Sequence, residues 1–237
     1  MTVRLEVCID DVVGLDACLR GGADRAELCS ALDLGGLTPS PGLIAAAARA
    51  SVPARAMIRP RAGDFCFGEA EVEVMLADIA AVRAAGLAGV VLGAATAAGE
   101  LDRPLLARLV AAAGGLGKTL HRVVDLMPDP VAAVDIAVDL GFDCILTSGG
   151  ALRAEDGTAV IAAMVERANG RIAIMAGSGV APGNAAALRR ATGAGWLHAS
   201  CASAEASGDE IRRFGFGPAE RRRTDPDRIR ALRAAAG

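Results

Sequence analysis

Short apolar runs with strand-like alternation are followed, again and again along this chain, by Ala- and Leu-rich stretches with helical spacing. Strands are predicted over residues 5–10, 25–30, 54–60, 89–94, 118–125, 142–148, 171–176 and 195–200. Helices are predicted over 12–20, from a Gly/Pro-rich loop at 33–41 to about 50, and over 69–85, 101–113 and 130–140. Three more are expected from about 156, from 182 to about 193, and from about 225. The stretch 69–85 carries Val72, Leu76, Ile79 and Val82 near a period of 3.6, with Gly86 as its stop. Asp129, between two prolines, is placed to cap the helix beginning at Pro130.

Eight strand–helix units in 237 residues predict an α/β fold, a single-domain (β/α)8 TIM barrel spanning 1–237. An open doubly wound sheet fits less well. No GxGxxG follows the first strand, and polar loops follow most strands rather than two or three.

Composition narrows the partners. The 53% hydrophobic content supplies a core, whereas aromatics at 3% and the absence of Tyr leave no stacking platform for single-stranded nucleic acid. A net charge of −3 gives no field favouring nucleic acid or an anionic membrane surface. Arg221, Arg222 and Arg223 form a basic cluster expected to be a solvated surface. No apolar run reaches a membrane-spanning length, and charges interrupt the N-terminus where a leader would be. Six cysteines without a secretion signal read as reduced thiols, so a cytoplasmic location is expected. The lack of CxxC or HxxxH spacing argues against a closed zinc site.

The chemistry is concentrated at the predicted strand ends, the functional face of such barrels. Glu6-Val7-Cys8 on the first strand returns as Glu27-Leu28-Cys29 on the second, and a period of two points Glu and Cys the same way. Two buried carboxylates require a cation between them or a shared proton. Arg59 on the third strand is the nearest candidate partner, followed by His121 and Arg122. A structural ion-pair network and a site for acid–base chemistry both fit. Cys8 and Cys29 admit three readings: packing groups, a nucleophile with His121 or His198 as base, or a thiol pair for a soft ion such as Cu(I). The turns Thr147-Ser148-Gly149-Gly150 and Gly177-Ser178-Gly179 either hold phosphate on backbone N–H groups or merely permit tight connections.

These residues resemble the CutC family of copper homeostasis proteins over nearly the whole chain. The matching stretches are LEVCID (5–10), GGADRAELCSALDLGGLTPS (21–40), MIRPRAGDF (57–65), HRVVD (121–125), FDCILTSGG (142–150) and IMAGSGV (174–180). Departures are small: Ala62 stands where the family usually has Gly, and HRVVD replaces HRAFD. The resemblance implies a TIM barrel, a cytoplasmic location and copper handling, with Cys8 and Cys29 at the positions of a proposed copper site.

Two functions are therefore expected, beside a third reading of the chain as a scaffold barrel whose partners are other proteins. One is cytosolic Cu(I) binding through Cys8 and Cys29. The other is a barrel enzyme acting on a small phosphorylated or carboxylated metabolite. In the enzyme, Glu6, His121 and Asp125 would be the proton-transfer candidates. Arg59, Arg61, Ser148, Gly149, Gly177, Ser178, Gly179 and His198 would bind the ligand. An exposed apolar helix face would support a homodimer.

Overall fold

The structure is a computed structural model that describes residues 3–237. Eight parallel strands pair in chain order and close into a barrel, the last against the first. They are β1 (Arg4–Ile9), β2 (Arg25–Leu28), β3 (Ala54–Met57), β4 (Gly89–Leu92), β5 (Gly117–Leu120), β6 (Cys144–Thr147), β7 (Ala173–Ala176) and β8 (Trp196–Ala199). Helices α1 (Val12–Gly21), α2 (Pro41–Ala47), α3 (Glu69–Ala85), α4 (Arg103–Ala113), α5 (Ala133–Leu140), α6 (Thr158–Ala168) and α7 (Ala185–Thr192) connect them. The predicted (β/α)8 barrel is the observed fold.

The alternation explains the layering. Val7, Ile9, Leu28, Ile58, Leu92, Leu120 and Ile145 join the main core with helix residues such as Val72, Met75, Ile79 and Leu109. Each fully buried Leu or Ile contributes roughly 1.5–3 kcal/mol. The alternate positions form the barrel interior, where Glu6, Arg25, Glu27, Arg55 and Thr119 are all buried. Apolar groups fill the spaces between them: Cys29 with Met57 and Val91 on one side, and Cys144 with Leu146, Met175 and Trp196 on the other. Helix starts are fixed by short polar side chains. Asp11, Ser40 and Asp102 accept N–H bonds from Gly14, Leu43 and Leu105 at 2.6, 3.2 and 3.0 Å.

Three elements differ from the sequence reading. The fifth strand stops at Leu120, and Arg122–Leu126 coil into a 3-10 turn. That turn lets Asp125 reach the end of β6, which an extended chain would carry it past. Helix α5 begins at Ala133, because Asp129 accepts bonds from Val131 and Ala132 N–H in a turn that precedes it. The stretch after β8 holds an antiparallel hairpin, β9 (Ala202–Ala206) and β10 (Glu220–Thr224), with the short helix α8 (Asp209–Arg213) between its strands. Helix α9 (Pro226–Ala236) then packs on α1 and α7.

The register corrects the expected charge pairing. Glu6 aligns with Arg25 and Cys8 with Glu27, so the two carboxylates lie one interior layer apart. The cation beside Glu6 is Arg25, not Arg59: its Nε donates to Glu6 Oε2. The Arg25 guanidinium also lies 4.1 Å from the centre of the Trp196 ring. Replacing Arg25 by Met should cost about 3–5 kcal/mol, since it strands a buried carboxylate. Urea unfolding should show at least half of that loss recovered on adding Glu6→Gln. A cost below about 1 kcal/mol would mean that Glu6 has another partner.

Candidate functional site

A cavity of about 840 Å³ opens at the C-terminal end of the barrel. Its wall includes Cys8, Glu27, Arg59, His121, Arg122 and His198, with Ser178 and Gly179 on the rim. Three of these groups converge closely: ligand atoms of Cys8, Glu27 and His198 all lie within 4.8 Å of one another. His198 Nε2 is 3.0 Å from Glu27 Oε2 and 4.0 Å from Glu6 Oε1. Cys29 is buried, and its thiol donates to Glu27 Oε2 at 3.7 Å. The group of three draws one thiol from β1, not one from each of the two echoing strands.

Electrostatics divides these groups into distinct states. Burial alone would raise the Glu27 carboxyl, but the charge and hydrogen bond of His198 outweigh it and hold it below the ordinary range. The same contact works in reverse on His198. Burial disfavours its charge, but the Glu27 carboxylate and then Cys8 lift its pKa well above the usual value. Glu6, by contrast, is raised by burial, with Arg25 opposing and Glu27 reinforcing. Burial also pushes the Cys29 thiol well above its ordinary range, with Glu27 adding to the effect. A pair of carboxyl groups driven apart in this way is an arrangement suited to proton transfer.

His121 is tuned the other way. Burial, and then the positive charge of Arg59, bring its pKa down to about 4. Its Nδ1 accepts the Val123 N–H at 3.2 Å, so the neutral ring carries its proton on Nε2. Gly93 makes room for the ring, since a Cβ there would lie 2.5 Å from His121 Cε1. Nε2 itself is buried without a hydrogen-bond partner, as are Glu27 Oε1, Glu6 Oε1 and Arg59 Nε. Arg59 extends over the Phe65 ring, and donates to the carbonyls of Leu34, Gly36 and Gly63 at 2.9, 3.2 and 2.9 Å.

Other predicted site residues have structural tasks. Asp125 accepts from Arg122 Nε, Thr147 Oγ1, Ser148 N and Oγ, and Gly150 N, so its oxygens are saturated. It ties the turn after β5 to the end of β6. Ser148 Oγ also accepts from Arg122 Nη2 at 2.7 Å, and Gly149 N donates to Thr147 Oγ1 at 2.8 Å. This turn holds no N–H in reserve for phosphate. Gly149 is required because its φ is +72° and a Cβ would meet Gly157 O at 2.3 Å. Arg61 lies outside the cavity wall, held by Glu71, Asp64 and the Cys66 carbonyl.

Gly177 N continues the sheet by donating to Thr147 O, and the Ser178 hydroxyl donates to Leu152 O at 2.7 Å. Ser178 and Gly179 both have positive φ, 79° and 74°, and stay on the cavity rim. Sequence reasoning missed Arg25, although its place two residues before Glu27 already put it on the interior face. It also missed Arg222 and Arg228, which reach the cavity from the hairpin and α9.

The chain is thus a (β/α)8 barrel with a cavity lined by several ionisable side chains at the C-terminal ends of its strands. Comparison with known proteins places it more narrowly: the CutC family model matches residues 3–203, and the chain belongs to the CutC family. Family proteins CutC from Sinorhizobium medicae and Caulobacter vibrioides are 53% and 52% identical to it over 233 and 239 residues. Each alignment covers 98% of this chain, with 95% of the first relative and 98% of the second. CutC from Streptococcus agalactiae, a protein named for copper homeostasis, has a structure similar at a TM-score of 0.80 and 32% identity. That match covers 84% of this chain and 98% of the other. Deoxyribose phosphate aldolase from Aeropyrum pernix is similar in fold alone, at a TM-score of 0.63 and 18% identity over 84% of this chain and 86% of that one. Among the described residues, no helix is long and apolar enough to cross a membrane.

The neutral state of His121 has a measurable consequence. Unfolded, the ring takes up a proton near 6.5; folded, it does so only near 4. Between these values the unfolded chain binds more protons, so His121 should remove about 3 kcal/mol of stability as pH falls through that window. Urea unfolding of His121→Asn should show a flatter pH dependence than wild type from 6.5 to 4. Parallel curves would place the acid sensitivity elsewhere.

Proposed function

We propose that the barrel mouth binds a small organic anion and carries out proton transfer on it. The carrying observation is the set of buried polar atoms without partners around one cavity: the His121 Nε2–H donor, the Glu27 Oε1 acceptor and Arg59 Nε. Each costs about 1–3 kcal/mol when buried unpaired, and all three belong to side chains that line the cavity, where a small side-chain rearrangement would bring them to a bound polar molecule. In this reading His198, held protonated by Glu27, is the general acid, and Glu6 with its raised pKa is a second proton carrier. Neutral His121 donates a hydrogen bond to a substrate oxygen. Six cysteines without a disulfide suit a reducing compartment, and we assign the protein to the cytoplasm.

A second reading, a role in copper homeostasis through Cu(I) binding, is favoured by CutC membership and by the Cys8–Glu27–His198 group. A thiol and an imidazole are suitable Cu(I) donors, and the carboxylate would be the weaker third. The arginines on the same wall have no task in it.

The two readings predict different responses. Thermal unfolding with phosphate- and carboxylate-bearing metabolites at about 100 times Kd should raise stability by about 2.7 kcal/mol, and Glu27→Gln or His121→Asn should reduce that gain. The absence of stabilisation by every anion in such a panel would overturn the first reading. Anaerobic Cu(I) titration against a competing chelator tests the second. Cys8→Ser should weaken binding at least tenfold and Cys29→Ser should not. Tight binding by the Cys8→Ser/Cys29→Ser double variant would dismiss a thiol-based site.

A further inference from the structure

The charges on the cavity wall do not balance. Five arginines line it: Arg59, Arg122, Arg153, Arg222 and Arg228. The only carboxylate among the lining residues is Glu27, which His198 already engages. Two of the arginines have their own partners, Arg122 in Asp125 and Arg153 in Glu155. Among the described residues, no carboxylate lies within ion-pair distance of Arg59, Arg222 or Arg228.

Arg59 is the costliest of these. It is only 6% exposed, and its contacts are three carbonyls and an aromatic ring. Carbonyl dipoles orient the guanidinium but do not cancel its charge. They occupy three of its five N–H donors, leaving Nε and one further hydrogen. A buried cation left unneutralised in this way is costly unless an anion joins it.

Arg222 and Arg228 come from the segment that follows β8, whereas Arg59 follows β3. In the Arg221–Arg223 run, Arg221 pairs with Asp11 and Arg223 with Glu205, while Arg222 alone reaches the cavity. Arg228 enters from the first turns of α9. Both follow β8 in the chain, and the rim residues Ser178 and Gly179 follow β7. Arg59 sits just past β3, four strands from β7 in a ring of eight and therefore across the mouth from it. Glu27, His121 and His198 line the same cavity.

We propose that the ligand is a small organic molecule with an anionic group at each end. One end, a carboxylate, is held at Arg59. The other, a phosphate, is held by Arg222 and Arg228 beside Ser178 and Gly179. The carbons between the two ends then lie over the proton-transfer groups. This rests on the reading of the mouth as an organic-anion site and specifies the class of anion it takes.

The test uses two pairs of probes that differ by one terminal carboxylate: glycerol 3-phosphate against 3-phosphoglycerate, and arabitol 5-phosphate against 5-phosphoarabinonate. Calorimetric titration of the full chain should show the two-ended member of at least one pair binding tenfold or more tightly than its one-ended counterpart. The exposed double variant Arg222→Gln/Arg228→Gln should weaken both members, and inorganic phosphate, at least tenfold. Arg59→Lys should lower the ratio within the pair, while its urea midpoint reports whether the fold is kept. Equal affinities within both pairs, or an unaffected double variant, would overturn the two-ended ligand and leave the broader anion reading in place. A wild-type chain that binds none of the probes would overturn both.

Discussion

Charge taken out of water is the constraint around which this barrel is built. Glu6 and Glu27 are both buried, and each lies beside a cation supplied by another strand. Deep in the barrel the cation is Arg25, whose fork is wedged between Glu6 and the Trp196 ring. At the mouth it is His198, whose pKa Glu27 and then Cys8 lift against the effect of burial. The pair with Arg25 fills the interior, and the pair with His198 faces the cavity.

This division separates polar groups that satisfy one another from those that keep an unpartnered atom. Asp125 and Ser148 satisfy one another and the backbone around them, with Arg122 as a third partner, so they hold two strand ends together and leave no carboxylate or hydroxyl over for a ligand. Glu27, His121 and Arg59 each retain an unpartnered atom. The distinction rests on unused hydrogen-bonding capacity and not on residue type. It also weighs on copper handling. The Cys8–Glu27–His198 group offers a soft-ion site, while the positive wall around it calls for an anion.

Most of the fold was legible in the chain. The period-two runs gave all eight strands, and the helix 69–85 is observed as Glu69–Ala85 because its apolar spacing, its Glu-rich start and Gly86 agree. The inward direction of Glu6, Cys8 and Glu27 followed from alternation alone. The pairing did not. Parallel register is set by how the strands stagger around the closed barrel, and it placed Glu6 beside Arg25 and Cys8 beside Glu27. The same alternation pointed to Arg25, two residues before Glu27. Arg222 and Arg228 had no comparable signal, because only the hairpin after β8 carries them back over the mouth. Asp125 was read as the end of the fifth strand, whereas a 3-10 turn delivers it to the end of β6.

The central claim is that the unpartnered atoms of Glu27 and His121 belong to a ligand. Its most direct test is a crystal structure of the chain grown with a saturating phosphorylated sugar acid. The account predicts ligand oxygens within hydrogen-bonding distance of His121 Nε2 and Glu27 Oε1, with one anionic group at Arg59. If instead the ligand is absent from the cavity, and ordinary repacking of the protein satisfies those same atoms, the account is contradicted.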